Sequence, residues 1–197
     1  SGDGKTTLAS NLAIAMAQAG KKVCLVDCDL RKPMQHEIFG TKNNTGLSML
    51  LAGRCSLDTA LQRGGVPGLE ILPCGPLPAN PTEILNSREF GDLLEQLADK
   101  YDHVVIDTPP VQSVNDTRII AALCDATLIV LKAPNAHRRQ VEQTRDSLLS
   151  VGARVIGLVV NDVPRRPQST YGRPAASRRV VAGLTSQEYD ILQARSK

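Results

Sequence analysis

Gly2-Asp3-Gly4-Lys5-Thr6-Thr7 leads directly into a helical pattern in which Leu8, Leu12, Ala15, Met16 and Ala19 recur at three- and four-residue spacing until Gly20. Small residues ahead of a helix let backbone N–H groups approach an anion closely, and the helix N-terminus adds its dipole. In that setting a lysine reaches the β- and γ-phosphates of a nucleotide, and the threonine after it ligates Mg²⁺. Gly2, Asp3, Gly4, Lys5, Thr6 and Thr7 are therefore candidate nucleotide-binding residues, with Thr6 a candidate metal ligand. The full phosphate-loop pattern carries one more glycine five residues before Gly4, a position ahead of Ser1. The match is thus to the second half of the loop, and the strand that feeds such a loop also falls outside the sequence.

Outward from the loop, short apolar runs alternate with helical patterns. Val23-Cys24-Leu25-Val26 reads as a buried parallel strand. Similar runs recur at 69–72, 103–106, 126–131 and 155–160, with helical spacing over 87–100 (Phe90, Leu93, Leu94, Leu97) and 138–151 (Val141, Leu148, Leu149). Strands alternating with helices predict an α/β fold: a mostly parallel sheet flanked by helices on both faces, of the P-loop NTPase type, with its N-terminal strand missing here. After Asp162 the periodicity stops. Residues 1–163 read as one nucleotide-binding domain and 164–197 as a flexible basic tail, with a short helix near Ile191 and Leu192 begun by Thr185 and Glu188.

Composition narrows the classes. The 197 residues are 42% hydrophobic but only 3% aromatic, so the core is aliphatic. No apolar run approaches the roughly 20 residues of a membrane-spanning helix. The net charge of +3 is uneven: residues 165–197 hold seven Lys and Arg against two Asp and Glu, leaving the rest slightly acidic. The basicity belongs to the tail, and a nucleic-acid partner is not expected. Cys24, Cys28, Cys55, Cys74 and Cys124 follow no disulfide or zinc spacing and read as reduced thiols.

Three carboxylates follow the apolar runs. Leu25-Val26-Asp27-Cys28-Asp29-Leu30-Arg31 places two just past one strand, and Val105-Ile106-Asp107-Thr108-Pro109 places a third at the end of another. Ligands of parallel α/β sheets bind beyond the carboxyl ends of the strands. Acidic groups converging there, opposite Lys5 and Thr6, meet the needs of Mg²⁺–nucleotide chemistry: one holds the metal and another orients or deprotonates a nucleophile.

In these segments the chain resembles the cytoplasmic kinase domain of bacterial tyrosine kinases, P-loop proteins related to the MinD/ParA ATPases. The resemblance rests on Gly4-Lys5-Thr6, on the D-x-D-x-R segment from Asp27 to Arg31 with its continuation Lys32-Pro33, on Ile106-Asp107-Thr108-Pro109, and on Gly75 to Leu85 with its Asn80-Pro81-x-Glu83 core. It extends over residues 1 to about 163. It implies ATP and Mg²⁺ as cofactors and tyrosine autophosphorylation as the activity, in control of capsule or exopolysaccharide synthesis and export. It also implies Lys5 and Thr6 on the phosphates and metal, Asp27 as the catalytic carboxylate with Lys5 and Asp29 beside it, and Asp29 and Asp107 around Mg²⁺. Asn161 would lie near the adenine or simply close a turn. Asp116 and Arg118 belong to a switch-like segment or, for Asp116, a helix cap.

The same resemblance implies a membrane activator or co-polymerase subunit, or a fused transmembrane region. It further implies homo-oligomerisation of the full-length protein, a cognate phosphatase, and a cytoplasmic place at the inner face of the cell membrane. The family's C-terminal tyrosine cluster is reduced here to Tyr171 and Tyr189, the phosphoacceptor candidates. Arg165, Arg166 and Arg173 near them would pair with phosphate or simply be solvated. A MinD/ParA-like ATPase switch and a nucleotide-binding pseudokinase regulator stand as alternatives. Without the strand before the loop, residues 1–197 are expected to bind nucleotide weakly and to be less stable than a longer chain.

Overall fold

A computed structural model gives the architecture, and the description covers residues 2–111, 115–135 and 137–163. In chain order the elements are α1 (Lys5–Gln18), β1 (Val23–Asp27), α2 (Gln35–Phe39), α3 (Leu47–Leu51), α4 (Leu57–Ala60), β2 (Gln62–Arg63), β3 (Leu69–Leu72), α5 (Pro81–Leu85) and α6 (Arg88–Lys100). There follow β4 (His103–Asp107), α7 (Asp116–Leu123), β5 (Thr127–Lys132), a 3-10 turn at Ala133–Asn135, α8 (Arg138–Leu149) and β6 (Val155–Asn161). The strands and long helices expected from periodicity all form. The short helices α2 to α5 were not anticipated, being too brief to establish a period.

β1 is buried along its whole length because it lies between two parallel partners, β3 and β4. Its side chains alternate faces, as the pleat requires. Val23 and Leu25 meet Ala13, Ile14 and Ala17 of α1, together with Leu69 and Ile71. Cys24 and Val26 meet Phe90, Leu93 and Leu97 of α6, together with Leu72. Both faces of the sheet are therefore covered, which explains why these strands are unbroken apolar runs rather than alternating ones. α6 starts where the Ser87 hydroxyl accepts the Phe90 N–H at 3.3 Å, and its apolar stripe faces the sheet. Gly20, at φ +82°, stops α1 and turns the chain into β1.

The sheet is not continuous. One sheet has the order β2-β3-β1-β4, with β2 antiparallel, and β5 pairs in parallel with β6 as a second. Residues 103–111 of the first and 126–132 of the second line a common cavity of about 1140 Å³, with Leu8, Leu12 and Met16 of α1 and Leu94 of α6 on its walls. Val104, Val105 and Ile106 are accordingly only half-buried, in contrast to β1. Among the described residues no helix is long and apolar enough to cross a membrane. Residues 164–197, with Tyr171, Tyr189 and the tail arginines, lie outside the described residues.

Candidate functional site: a phosphate loop facing three carboxylates

Gly4 is the N-cap of α1 and sits at φ +86°, a left-handed conformation natural only to glycine. A Cβ there would stand 2.5 Å from Nδ2 of Asn161. Asn161 is drawn close because its amide donates to the Asp3 carbonyl at 2.8 Å, so the end of β6 braces the loop that opens α1. Lys5 Nζ lies 3.7 Å from Asp3 Oδ2, with both side chains about one-quarter exposed. Thr6 is half-buried, and Thr7 points outward from the first turn.

Asp27 and Asp107 end β1 and β4 as register partners, and both are buried. Asp27 accepts three backbone N–H bonds. Asp29 donates to Oδ1 at 3.2 Å, while Met34 and Gln35 donate to Oδ2 at 3.1 and 3.0 Å. The chain between residues 28 and 35 is thus wrapped around this one carboxylate. Asp29 in turn accepts from the N–H groups of Arg31 and Lys32 at 3.2 and 2.9 Å, an Asx-type turn that fixes its position. Burial pushes the Asp27 carboxyl up to about 7; the Gln35 N–H opposes that and the neighbouring Asp107 reinforces it. Asp107 is also raised, again by burial first, with the Gln35 amide and the Thr6 hydroxyl pulling it back.

Two buried carboxylates side by side are an arrangement that a hard divalent cation relieves, and the donors here are all oxygens, the ligand type Mg²⁺ takes. The open, glycine-bearing start of α1 suits an anion for the reasons its sequence suggests. The residues present therefore fit a Mg²⁺–nucleotide: Gly2 to Thr6 for the phosphates, and Thr6, Asp29 and Asp107 for the metal.

The structure brings together Gly2, Asp3, Gly4, Lys5, Thr6, Asp27, Asp29, Asp107 and Asn161 at the carboxyl ends of β1, β4 and β6. Asp116 does not cap the helix that it opens. The N-cap of α7 is Asn115, and the fully buried Asp116 carboxylate accepts Arg31 Nε at 2.9 Å and the Thr82 hydroxyl at 2.6 Å. This joins the D-x-D-x-R segment, the Asn80-Pro81 segment and α7. Arg118 reaches Ser150, at 3.5 Å. Gln35 was missed. It is completely buried among the site carboxylates, yet a lone glutamine between Met34 and His36 carries no motif or periodic signal.

Comparison with known proteins bears on the same residues. A family model described as an AAA domain matches residues 1–143. The putative tyrosine-protein kinase CapB of Staphylococcus aureus is 36% identical over 171 residues, 87% of this chain and 75% of that protein. The tyrosine-protein kinase ptk of Acinetobacter johnsonii is 39% identical over 162 residues, 82% of this chain; the chain spans only 22% of that longer protein. Among solved structures, the kinase domain of the Escherichia coli tyrosine kinase ETK superposes with a TM-score of 0.81 at 32% identity, covering 88% of this chain and 68% of that one.

Proposed function

The chain belongs to the bacterial tyrosine-protein kinase family, and from that premise we propose that it binds ATP with Mg²⁺ and transfers the γ-phosphoryl group to tyrosine hydroxyls, including its own. The observation that carries this reading is the register pairing of Asp27 with Asp107 at the carboxyl end of the sheet, with Lys5 and Thr6 opening α1 beside them.

Mg²⁺–ATP, when bound, supplies the transferable group and neutralises charge on its phosphates. The chain's own residues do the rest. Backbone N–H groups from Gly2 to Thr6 and the Lys5 ammonium hold and orient the phosphates. The Thr6 hydroxyl, Asp29 and Asp107 hold the metal. Asp27 accepts the proton of the incoming tyrosine hydroxyl. Three backbone N–H bonds hold it in a fixed orientation at the end of β1 for that task. Asn161, braced on Asp3, closes the nucleotide side of the loop.

Tyr171 and Tyr189 are the proposed acceptors, presented to the site of a neighbouring copy. Tyr101 is not one: it is buried at the end of α6 and bonded to Glu70. The physiological setting proposed, as the family resemblance implies, is capsule or exopolysaccharide synthesis and export. The domain would work at the cytoplasmic face of the cell membrane, in an oligomer with a membrane activator or a fused membrane segment and opposed by a phosphatase.

Incubation of the full-length protein with γ-labelled ATP and phosphopeptide mapping tests this. Label on Tyr171 or Tyr189, lost in Asp27→Ala, is expected. Steady phosphate release without tyrosine label would replace the kinase with an ATPase switch, and nucleotide binding without either would leave a regulator.

A further inference from the structure

Gln35 lies at the start of α2, 0% exposed, and its backbone N–H and side-chain amide donate to site residues. Its backbone N–H donates to Asp27 Oδ2 at 3.0 Å. Its side-chain Nε2 donates to Asp107 Oδ2 at 2.9 Å and to the Thr6 carbonyl at 3.3 Å. Its Oε1 faces the Ser10 hydroxyl at 2.8 Å. The two acceptors, Asp107 Oδ2 and the Thr6 carbonyl, fix which end of the amide faces the carboxylate, because turned over the amide oxygen would oppose both. The Ser10 hydroxyl, which also lies 2.8 Å from the Thr6 carbonyl, has one proton to share between that oxygen and Oε1. One residue thus ties the end of β1, the end of β4 and the first turn of α1.

Building on the kinase reading, we propose that Gln35 is a positioning residue that orients the Asp107 carboxylate and the Thr6 turn for Mg²⁺. The reason is geometric. Asp107 has two oxygens; the amide engages Oδ2, which fixes the rotation of the carboxyl group about its bond to the chain. The same amide group bonds the carbonyl of Thr6, whose own hydroxyl is the other proposed ligand, so both ligands are referenced to a single buried group. A fully buried amide is costly without partners, and here both of its protons are donated, to Asp107 and to the Thr6 carbonyl. A glutamine placed there only to fill space would be better replaced by a methionine of similar length.

The test is a calorimetric titration of ATP into the full-length protein, first in EDTA and then at stepped Mg²⁺, for wild type, Gln35→Met and Ser10→Ala. Removing an outer partner of a metal ligand typically weakens metal affinity by about 10–100-fold. Gln35→Met should therefore raise the Mg²⁺ concentration at half-effect by about tenfold or more. ATP affinity in EDTA should change by a smaller factor than the Mg²⁺ dependence, since Gln35 reaches the phosphate loop only through the Thr6 carbonyl. Ser10→Ala, which removes the partner of Oε1 at a helical site that favours alanine, should shift it in the same direction by a smaller factor.

A Gln35→Met protein with an unchanged melting temperature and an unchanged Mg²⁺ dependence would overturn the proposal. If Gln35→Met does not fold, Ser10→Ala decides alone: no shift in Mg²⁺ dependence would refute it. A wild-type protein with no Mg²⁺-dependent ATP binding would instead bring down the functional reading on which this rests.

Discussion

Arg31 and Asp116 form a forked ion pair that joins the loop after β1 to the first turn of α7: Nε lies 2.9 Å from Oδ2 and Nη2 3.5 Å from Oδ1. The Asp116 side chain is 1% exposed and that of Arg31 41%, so the pair is half in solvent. Asp116 also takes the Thr82 hydroxyl. Arg31→Ala leaves a buried carboxylate with only that hydroxyl among the described side chains and should cost about 2–3 kcal/mol, below the 3–5 of a fully buried pair because Arg31 is partly screened. A double-mutant cycle with Asp116→Ala, read by urea unfolding, should show a coupling of about 1–2 kcal/mol. Coupling near zero would mean that the contact adds nothing. ATP binding should weaken with either single change, since the pair ties the loop that carries Asp29 to the first turn of α7.

A second expectation concerns pH. Burial holds folded Asp27 near 7, against roughly 3.9 for an unfolded aspartate. The folded state therefore favours the protonated form. The stability this group contributes is complete below about pH 4, falls as pH rises from about 4 to 7, and is gone above that. Asp107 is shifted in the same direction and adds to the slope. Nucleotide-free protein should lose on the order of a few kcal/mol of stability between pH 4.5 and 8. Asp27→Asn should flatten part of that loss, leaving the part due to Asp107. Saturating Mg²⁺ and ATP should flatten it too, because a bound cation favours the ionised carboxylates. Urea midpoints across that range measure all three, and parallel slopes for wild type and Asp27→Asn would refute the assignment.

The elements that could be read directly were those with a period: the long helices and the aliphatic strands, whose alternating faces each found a helix. The same holds for the strand-end carboxylates, because a parallel sheet gathers its carboxyl ends on one side. Gln35, the Arg31–Asp116–Thr82 junction and the brace from Asn161 to Asp3 were not legible. Each joins residues 25 to 158 positions apart through polar side chains, and polar contacts of that kind leave no repeat in the sequence. Asp116 shows the difficulty plainly: an acidic residue at a helix start suggests a cap or a dipole partner, whereas its side chain turns inward to a distant arginine.

Gly4 gives a sharper test of the loop. At φ +86° an alanine is strained by about 1–2 kcal/mol, and its Cβ would also press on Asn161. Gly4→Ala should weaken ATP binding by tenfold or more while the rest of the sheet stays folded by circular dichroism. Asn161→Ala in the same chain removes the close contact but not the backbone strain, so it should restore only part of the loss. Full restoration would place the whole effect in the contact with Asn161 rather than in the loop conformation.

The cavity between β4 and β5 yields the last prediction. Both strands leave one edge without a strand partner among the described residues, and aliphatic side chains from α1 and α6 line the space between them. Unpaired edges beside a half-buried, aliphatic wall are what an inserted parallel strand satisfies, by ladder bonds on both sides and burial on both faces. A designed strand of about five aliphatic residues, joined ahead of Ser1 through a glycine-containing loop, has a suitable length for the space. For a chain of this size each kcal/mol gained raises the melting temperature by about 2–4 °C. The extended protein should therefore melt several degrees higher than residues 1–197 alone, with slower amide exchange along Val104 to Ile106 and Leu128 to Val130. It should also bind ATP more tightly, since the start of α1 would then be anchored from both sides. An extension carrying lysine at alternate positions of the strand is the control: if it stabilises the chain as well as the aliphatic one, the added residues are not seated between β4 and β5.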